Sequence, residues 1–193
     1  MKRIILASSS PRRKQLLEQL GISFDCCPAR IDEDLGTEET AREAVRRIAL
    51  NKAEKASEMV RNSIIIAADT MVVCNGEVLG KPDNARDAFN KLYKLKGREH
   101  EVITAVCVMD TENGQCEVQD EITRVYFRDI SDEEIRAYIR TEEPMDKAGA
   151  YGIQGMGAVF VDRIEGCYFN VVGLPLKHLY SMLQRQGVKL LER

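Results

Sequence analysis

Residues 63–74 read SIIIAADTMVVC. The run Ile64-Ile65-Ile66-Ala67-Ala68 is apolar and β-branched without helical periodicity, which predicts a core strand or a pair of strands. Asn75-Gly76 directly after it is a type I′ hairpin signal. The apolar run ends in Asp69-Thr70, setting a carboxylate at the carboxyl end of a core strand. In open α/β sheets ligands bind along that edge; the alternative is an aspartate that caps a turn.

Outward from this strand, helices and strands alternate. Upstream, Thr40 and Glu43 form a capping box for a helix running to about Val60, preceded by the acidic connection RIDEDLGTEET (30–40) and an extended stretch from Ile22 to Pro28. Before that, Arg3 to Ala7 reads as a short buried strand. It is followed by a helix with Ser10 as N-cap, Pro11 in its first turn, Leu16, Leu17 and Leu20 as its apolar face, and Gly21 as its left-handed end. Downstream, Asp83 is expected to cap a helix bearing Ala85, Ala88, Phe89, Leu92 and Leu95 and closed by Gly97. HEVITAVCVMD (100–110) and CEVQDEITRVYFR (116–128) predict a long hairpin around Asn113-Gly114. Ser131 and Glu134 give a second capping box for a helix through Ile139, which Pro144 prevents from continuing. AVFVDRIEGCYFNVV (158–172) reads as another hairpin turning at Glu165-Gly166, and Pro175 opens a last helix that ends at Gly187. This order predicts an α/β fold, a mixed β-sheet with flanking helices. With no repeat and no low-complexity linker, residues 1–193 are expected to form a single domain.

Composition narrows the function classes. A net charge of −3 with interspersed signs argues against a general nucleic-acid coat, so no stable nucleic-acid complex is expected. No apolar run is long enough to span a membrane and no signal-peptide pattern opens the chain, which points to a cytoplasmic protein. The six cysteines contain no CxxC pair and are expected to be free and mostly buried. His100 and His178 are the only histidines and lie far apart, so a His/Cys zinc site is not expected.

Four stretches carry candidate chemistry. Lys52 falls on the apolar stripe of its helix with Val45, Ile48, Ala49, Ala53, Ala56 and Met59. It must either snorkel to the edge of that face or meet an anion, because an unpaired buried charge is costly. ASSSPRR (7–13) places Ser8, Arg12 and Arg13 at a strand-to-helix turn. The helix N-terminus disfavours cations, so two arginines there point to an anion such as phosphate, which arginine binds bidentately. GKP (80–82) is no P-loop: its glycine spacing is one residue short, and Pro82 stands where Ser or Thr should bind magnesium. Lys81 remains either a point charge for phosphate or a loop lysine. DKAGAYGIQGMGA (146–158) has four glycines but is not GxGxxG and does not lead from a strand into a helix. Its glycines permit close backbone approach, and Gln154 offers an amide able to read a base edge. With Asp69 and one of Asp32, Glu33 or Asp34, this inventory suits metal-dependent attack on a nucleotide polyphosphate.

Taken together, SSSPRR (8–13), AADT (67–70), GKP (80–82) and EPMDKAGAYGIQG (143–155) resemble the Maf family of nucleotide pyrophosphatases, in order and over essentially the whole chain. The resemblance implies an inosine triphosphate pyrophosphatase-like fold of two lobes around a central cleft. It also implies a divalent cation, Mg²⁺ or Mn²⁺, and hydrolysis of a nucleoside triphosphate to the monophosphate and pyrophosphate. It makes Asp69 the catalytic carboxylate and Glu33 a second acidic residue near the metal. Ser8, Arg12, Arg13, Lys52 and Lys81 become the phosphate-contacting set. Arg12, Thr70 and Gln154 match the branch acting on dTTP and UTP; the 7-methylguanosine triphosphate branch tends to carry Trp, Gln and Glu there. Whether Asp69 acts as general base or metal ligand stays open. The family further suggests a homodimer, a house-cleaning role and a link to septum formation, the last compatible with nucleotide sensing rather than turnover.

Overall fold

The computed structural model describes residues 2–31 and 39–191. Its strands are β1 (Arg3–Leu6), β2 (Asp25–Cys26), β3 (Ser63–Cys74), β4 (Glu77–Val78), β5 (Glu99–Asp110), β6 (Cys116–Phe127) and β7 (Val161–Glu165). Its helices are α1 (Pro11–Gln19), α2 (Ala41–Ser57), α3 (Ala85–Leu95), α4 (Asp132–Ile139), α5 (Tyr168–Val172) and α6 (Leu176–Arg185). The strands pair in the order β2-β1-β3-β5-β6-β7, with β4 also on β3. β1 runs parallel to β2 and β3, whereas β4 on β3 and β7 on β6 are antiparallel. The sheet is therefore mixed, as expected.

The chain divides into two compact units. One comprises 1–69, 104–121 and 173–193, and the other 70–103 and 122–172. β3, β5 and β6 each supply residues to both units, so the division crosses strands rather than a linker.

In the first unit, Leu6 and Ile64 to Ile66 are buried with Leu16 and Leu17 of α1, Ile48 of α2 and Leu179 and Leu183 of α6. The β1–β3 register pairs Arg3 with Ser63 through Leu6 with Ile66. α1 begins with Pro11, which gives up no helical hydrogen bond, and Ser10 holds the N-cap backbone position without a capping bond from its side chain. Gly21 ends it at φ +65° with Gly21 N–H to Glu18 O and Ile22 N–H to Leu17 O, a Schellman closure. The capping box of Thr40 and Glu43 forms as expected. α2 stops at Ser57, short of Val60, and leaves Met59 exposed.

The core of the second unit gathers Val72, Leu79, Leu92, Val102, Phe127, Ile135, Tyr138, Tyr151 and Phe160. Asn75 and Gly76 both take positive φ between Cys74 and its partner Glu77, the backbone a type I′ turn needs. The α3 cap falls one residue later than expected: Asn84 Oδ1 accepts the Arg86 and Asp87 N–H groups, while Asp83 N–H donates to Asp87 Oδ2. Residues 158–172 depart from the predicted hairpin. Only Val161–Glu165 is a strand, preceded by a 3-10 turn over Met156–Phe160 and followed by α5. Gly166 passes so close to Thr123 that a Cβ would lie 2.9 Å from its Oγ1. Beyond it, Thr123 Oγ1 bonds Cys167 N–H, and buried Asn170 donates to Val102 O and Thr123 Oγ1. These bonds turn the chain into a helix where alternation alone reads as a returning strand.

Candidate active site

Asp69 does not end its strand: β3 continues through Cys74. It is β1 that stops. The last register pair is Leu6 with Ile66, followed by Ala7 N–H to Ile66 O. Ser8 and Asp69 thus lie two and three residues past the end of the parallel pairing, on the carboxyl edge where such sheets bind ligands. The sequence reading placed Asp69 at the end of its own strand, whereas the strand that ends here is β1.

The side chains at this edge are tied in pairs. Lys52 Nζ donates to Asp69 Oδ1 at 2.8 Å, and both residues are buried. The anion that the stripe position of Lys52 requires is therefore the carboxylate of Asp69. That bond engages Oδ1 of the carboxylate. Ser8 and Arg13 are the second pair: Arg13 Nη1 donates to Ser8 Oγ at 3.2 Å and Arg13 Nε to Gly173 O at 2.8 Å, while Ser8 Oγ also accepts the Ser10 N–H. Arg13 packs on the same buried face of α1 as Leu16 and Leu17, so its guanidinium is fixed before any ligand arrives. Arg12, its neighbour, is half-buried.

The remaining candidates belong to the second unit. Thr70, half-buried, follows Asp69 along β3, and exposed Lys81 lies between β4 and α3. Gln154 is exposed on a glycine-rich turn whose support the sequence does not signal. Glu143 supplies it. Its Oε2 accepts the Met156 N–H at 2.9 Å and its Oε1 the Gly157 N–H at 3.3 Å and the Tyr138 hydroxyl at 2.8 Å, and Tyr138 also accepts the Gly152 N–H. A Cβ on Gly155 would come within 2.4 Å of that carboxylate, and one on Gly157 within 2.8 Å of the Tyr138 hydroxyl. Burial pushes the Glu143 carboxyl upward, but these donors outweigh it and hold it below its ordinary range. Burial, then the hydrogen bond to Glu143, pushes the Tyr138 phenol up, keeping it a hydroxyl donor.

Glu33, with Asp32 and Asp34, lies outside the described residues. Among the described residues no group of three or more His, Cys, Asp or Glu side chains could hold a metal. One carboxylate still fits a magnesium-like cation, which usually takes one or two carboxylates and completes its shell with water and substrate phosphates. The described cysteines are free, but only Cys74 and Cys107 are buried, fewer than expected. No helix among the described residues is long and apolar enough to cross a membrane.

Mixed sheet and helices together match solved Ham1 proteins. One from Staphylococcus aureus superposes with a TM-score of 0.54 at 16% identity, and one from Coxiella burnetii with 0.52 at 14%, each over 96% of this chain and 100% of the other. That likeness is one of fold, and it is the fold class that the sequence resemblance implies. The family model described as Maf-like protein matches residues 3–186, and the chain belongs to the Maf family. A relative in Syntrophomonas wolfei named dTTP/UTP pyrophosphatase is 54% identical, covering 96% of this chain and 98% of its own. Relatives with the same name occur in Dictyoglomus thermophilum, at 50% identity over 98% of this chain and 99% of theirs, and in Ruminiclostridium cellulolyticum, at 45% over the full length of both.

Proposed function

We propose that this protein hydrolyses dTTP and UTP to the nucleoside monophosphate and pyrophosphate. The observation that carries this reading is the buried Lys52–Asp69 pair beyond the end of β1, beside the Ser8–Arg13 pair. It stands in a chain about half identical to proteins named dTTP/UTP pyrophosphatase. Asp69 is the catalytic residue: Lys52 holds one carboxylate oxygen, and the other takes the proton of the attacking water or faces the cation. Arg12, Arg13, Lys52 and Lys81, with the Ser8 hydroxyl, bind the phosphates and offset the charge that builds up on the transferring phosphorus and the departing pyrophosphate. Arg13, locked to Ser8 and Gly173, contributes without reorganising. A divalent cation, Mg²⁺ or Mn²⁺, would be held by Asp69 and Glu33 and would lower the pKa of bound water and clamp phosphate oxygens. Thr70 and Gln154 read the base edge, and Arg12 contributes to the choice of substrate. A cytoplasmic homodimer with a house-cleaning role, and a tie to septum formation, complete the reading.

Released phosphate species test it. Purified protein with Mg²⁺ or Mn²⁺ should convert UTP and dTTP to UMP and dTMP plus pyrophosphate. Nucleoside diphosphate plus orthophosphate would overturn the reaction, and preference for 7-methylguanosine triphosphate would overturn the base assignment.

A further inference from the structure

The β5–β6 hairpin carries a feature that phosphate chemistry does not use. Cys107 Sγ, buried on β5, lies 3.3 Å from Cys116 Sγ, exposed at the start of β6. The two are joined by a short turn, with Asp110 N–H to Gln115 O and Gly114 N–H to Asp110 O. The other described cysteines differ. Cys74 is buried against the Lys94 and Glu99 carbonyls, Cys26 and Cys27 are consecutive residues, and Cys167 is half-buried after the Gly166 turn.

We propose that Cys116 and Cys107 are a peroxide-reactive dithiol that closes reversibly to a disulfide across the β5–β6 hairpin. Access assigns the roles. Cys116 is exposed and meets peroxide first, and buried Cys107 is the resolving thiol. The electrostatics agree. The hydrogen bond between the two sulfurs lowers the Cys116 thiol, overcoming burial and the charges of Glu54 and Glu117. The same bond, then burial, then the Cys116 and Glu54 charges push Cys107 up. A thiolate at Cys116 is the nucleophilic form.

The Cys116 thiolate attacks one oxygen of hydrogen peroxide. An S–O bond forms, the O–O bond breaks, and the hydroxide released takes a proton from solvent to become water. The Cys107 sulfur then attacks the Cys116 sulfenic acid. An S–S bond forms, the S–O bond breaks, and the departing hydroxide leaves as water with the Cys107 proton. Two thiols lose two electrons and one peroxide becomes two waters. A dithiol reductant restores the pair by attacking the exposed Cys116 sulfur. Closure before a second peroxide arrives spares Cys116 from irreversible sulfinic acid.

The inference rests on the hairpin alone and stands or falls independently of the nucleotide reading. Both cysteines lie on the tryptic peptide 99–124. The test treats the full-length reduced protein with limiting hydrogen peroxide and follows that peptide by mass. The expected result is a peptide two hydrogens lighter, formed about tenfold faster than the loss of any other thiol and restored by dithiothreitol. With peroxide raised to excess, Cys116 in Cys107→Ser should instead proceed to the sulfinic acid, and in Cys116→Ser the peptide should stay reduced under limiting peroxide. Oxidation starting at Cys26 or Cys27, or a Cys107→Ser variant that resists peroxide-driven sulfinic acid formation, would overturn the proposal. UTP hydrolysis should stay within about twofold in both variants, because neither thiol is assigned a role at the site.

Discussion

Lys52 and Asp69 occupy positions where neither charge could stand alone. Each is nearly removed from water, and removing one partner of such a pair leaves the other uncompensated. Asp69→Asn should lower kcat on UTP by about a thousandfold or more through loss of the acid–base and cation-facing oxygen. It should also lower the melting temperature by about 5–10 °C, because the buried Lys52–Asp69 ion pair is broken. Lys52→Met should be destabilising for the mirror-image reason. In the Lys52→Met/Asp69→Asn double variant the melting temperature should recover most of the loss while activity stays absent. Thermal unfolding beside steady-state kinetics on the three proteins checks this, and additive losses of stability would show that the pair is not coupled. The position of Lys52 was legible because helical periodicity reports which face a residue occupies. Its partner was not: seventeen residues separate the two, and nothing local in the sequence says that α2 brings that position to β3. The Ser8–Arg13 bond was not legible: the two arginines at the helix start read as phosphate contacts, and nothing local pointed to the Ser8 hydroxyl or to the Gly173 carbonyl 160 residues away as partners of Arg13.

The same limit governs whole elements. Both capping boxes were readable because each is closed by residues three apart, and the Asn75-Gly76 turn because its backbone demand is local. The turn over 152–157 and the segment 158–172 were not, because distant groups shape them: the Glu143 and Tyr138 side chains for the first, the Thr123 hydroxyl and the Val102 carbonyl for the second. Glu143 makes a specific test possible. A glutamine there keeps one carbonyl oxygen but turns an amide N–H₂ toward a backbone N–H, whereas alanine removes all three acceptor contacts. Glu143→Ala should cost about 2 kcal/mol or more of stability and Glu143→Gln less. Gly155→Ala should resemble the alanine variant, since its Cβ would displace the carboxylate, whereas Gly80→Ala, with nothing within 4 Å of the added carbon, should leave the melting temperature unchanged. Because Gln154 rides on this turn, Glu143→Ala should raise KM for UTP about tenfold while changing kcat less. Equal stability of Glu143→Ala and wild type would remove Glu143 from its supporting role.

At the scale of the whole molecule, one buried imidazole makes stability fall between neutral and mildly acid pH. His100 is 2% exposed, packs edge-on against Phe127 and Tyr151, and bonds the Tyr151 hydroxyl through Nε2 at 2.8 Å. Its Nδ1 is buried with no hydrogen-bond partner among the described residues. Burial lowers its pKa from 6.5 to about 4, so the folded protein holds it neutral. Between those values the unfolded chain binds the proton and the folded chain does not. Stability from this group is therefore complete above about pH 6.5 and is lost as the pH falls toward 4, by about 3 kcal/mol in all. Depressed carboxylates act lower on the scale. Glu134, held down to about 2 by Arg128 and the Ser131 N–H, is ionised in both states above its ordinary 4.5 and adds little slope in the histidine window. Urea unfolding at pH 7.5 and pH 5 should thus show a clear loss in the wild type. His100→Gln, which retains a polar group for Tyr151 and carries no titration, should be less stable at pH 7.5 yet nearly flat between the two conditions. A wild-type slope that persists in His100→Gln would assign the acid sensitivity to another group.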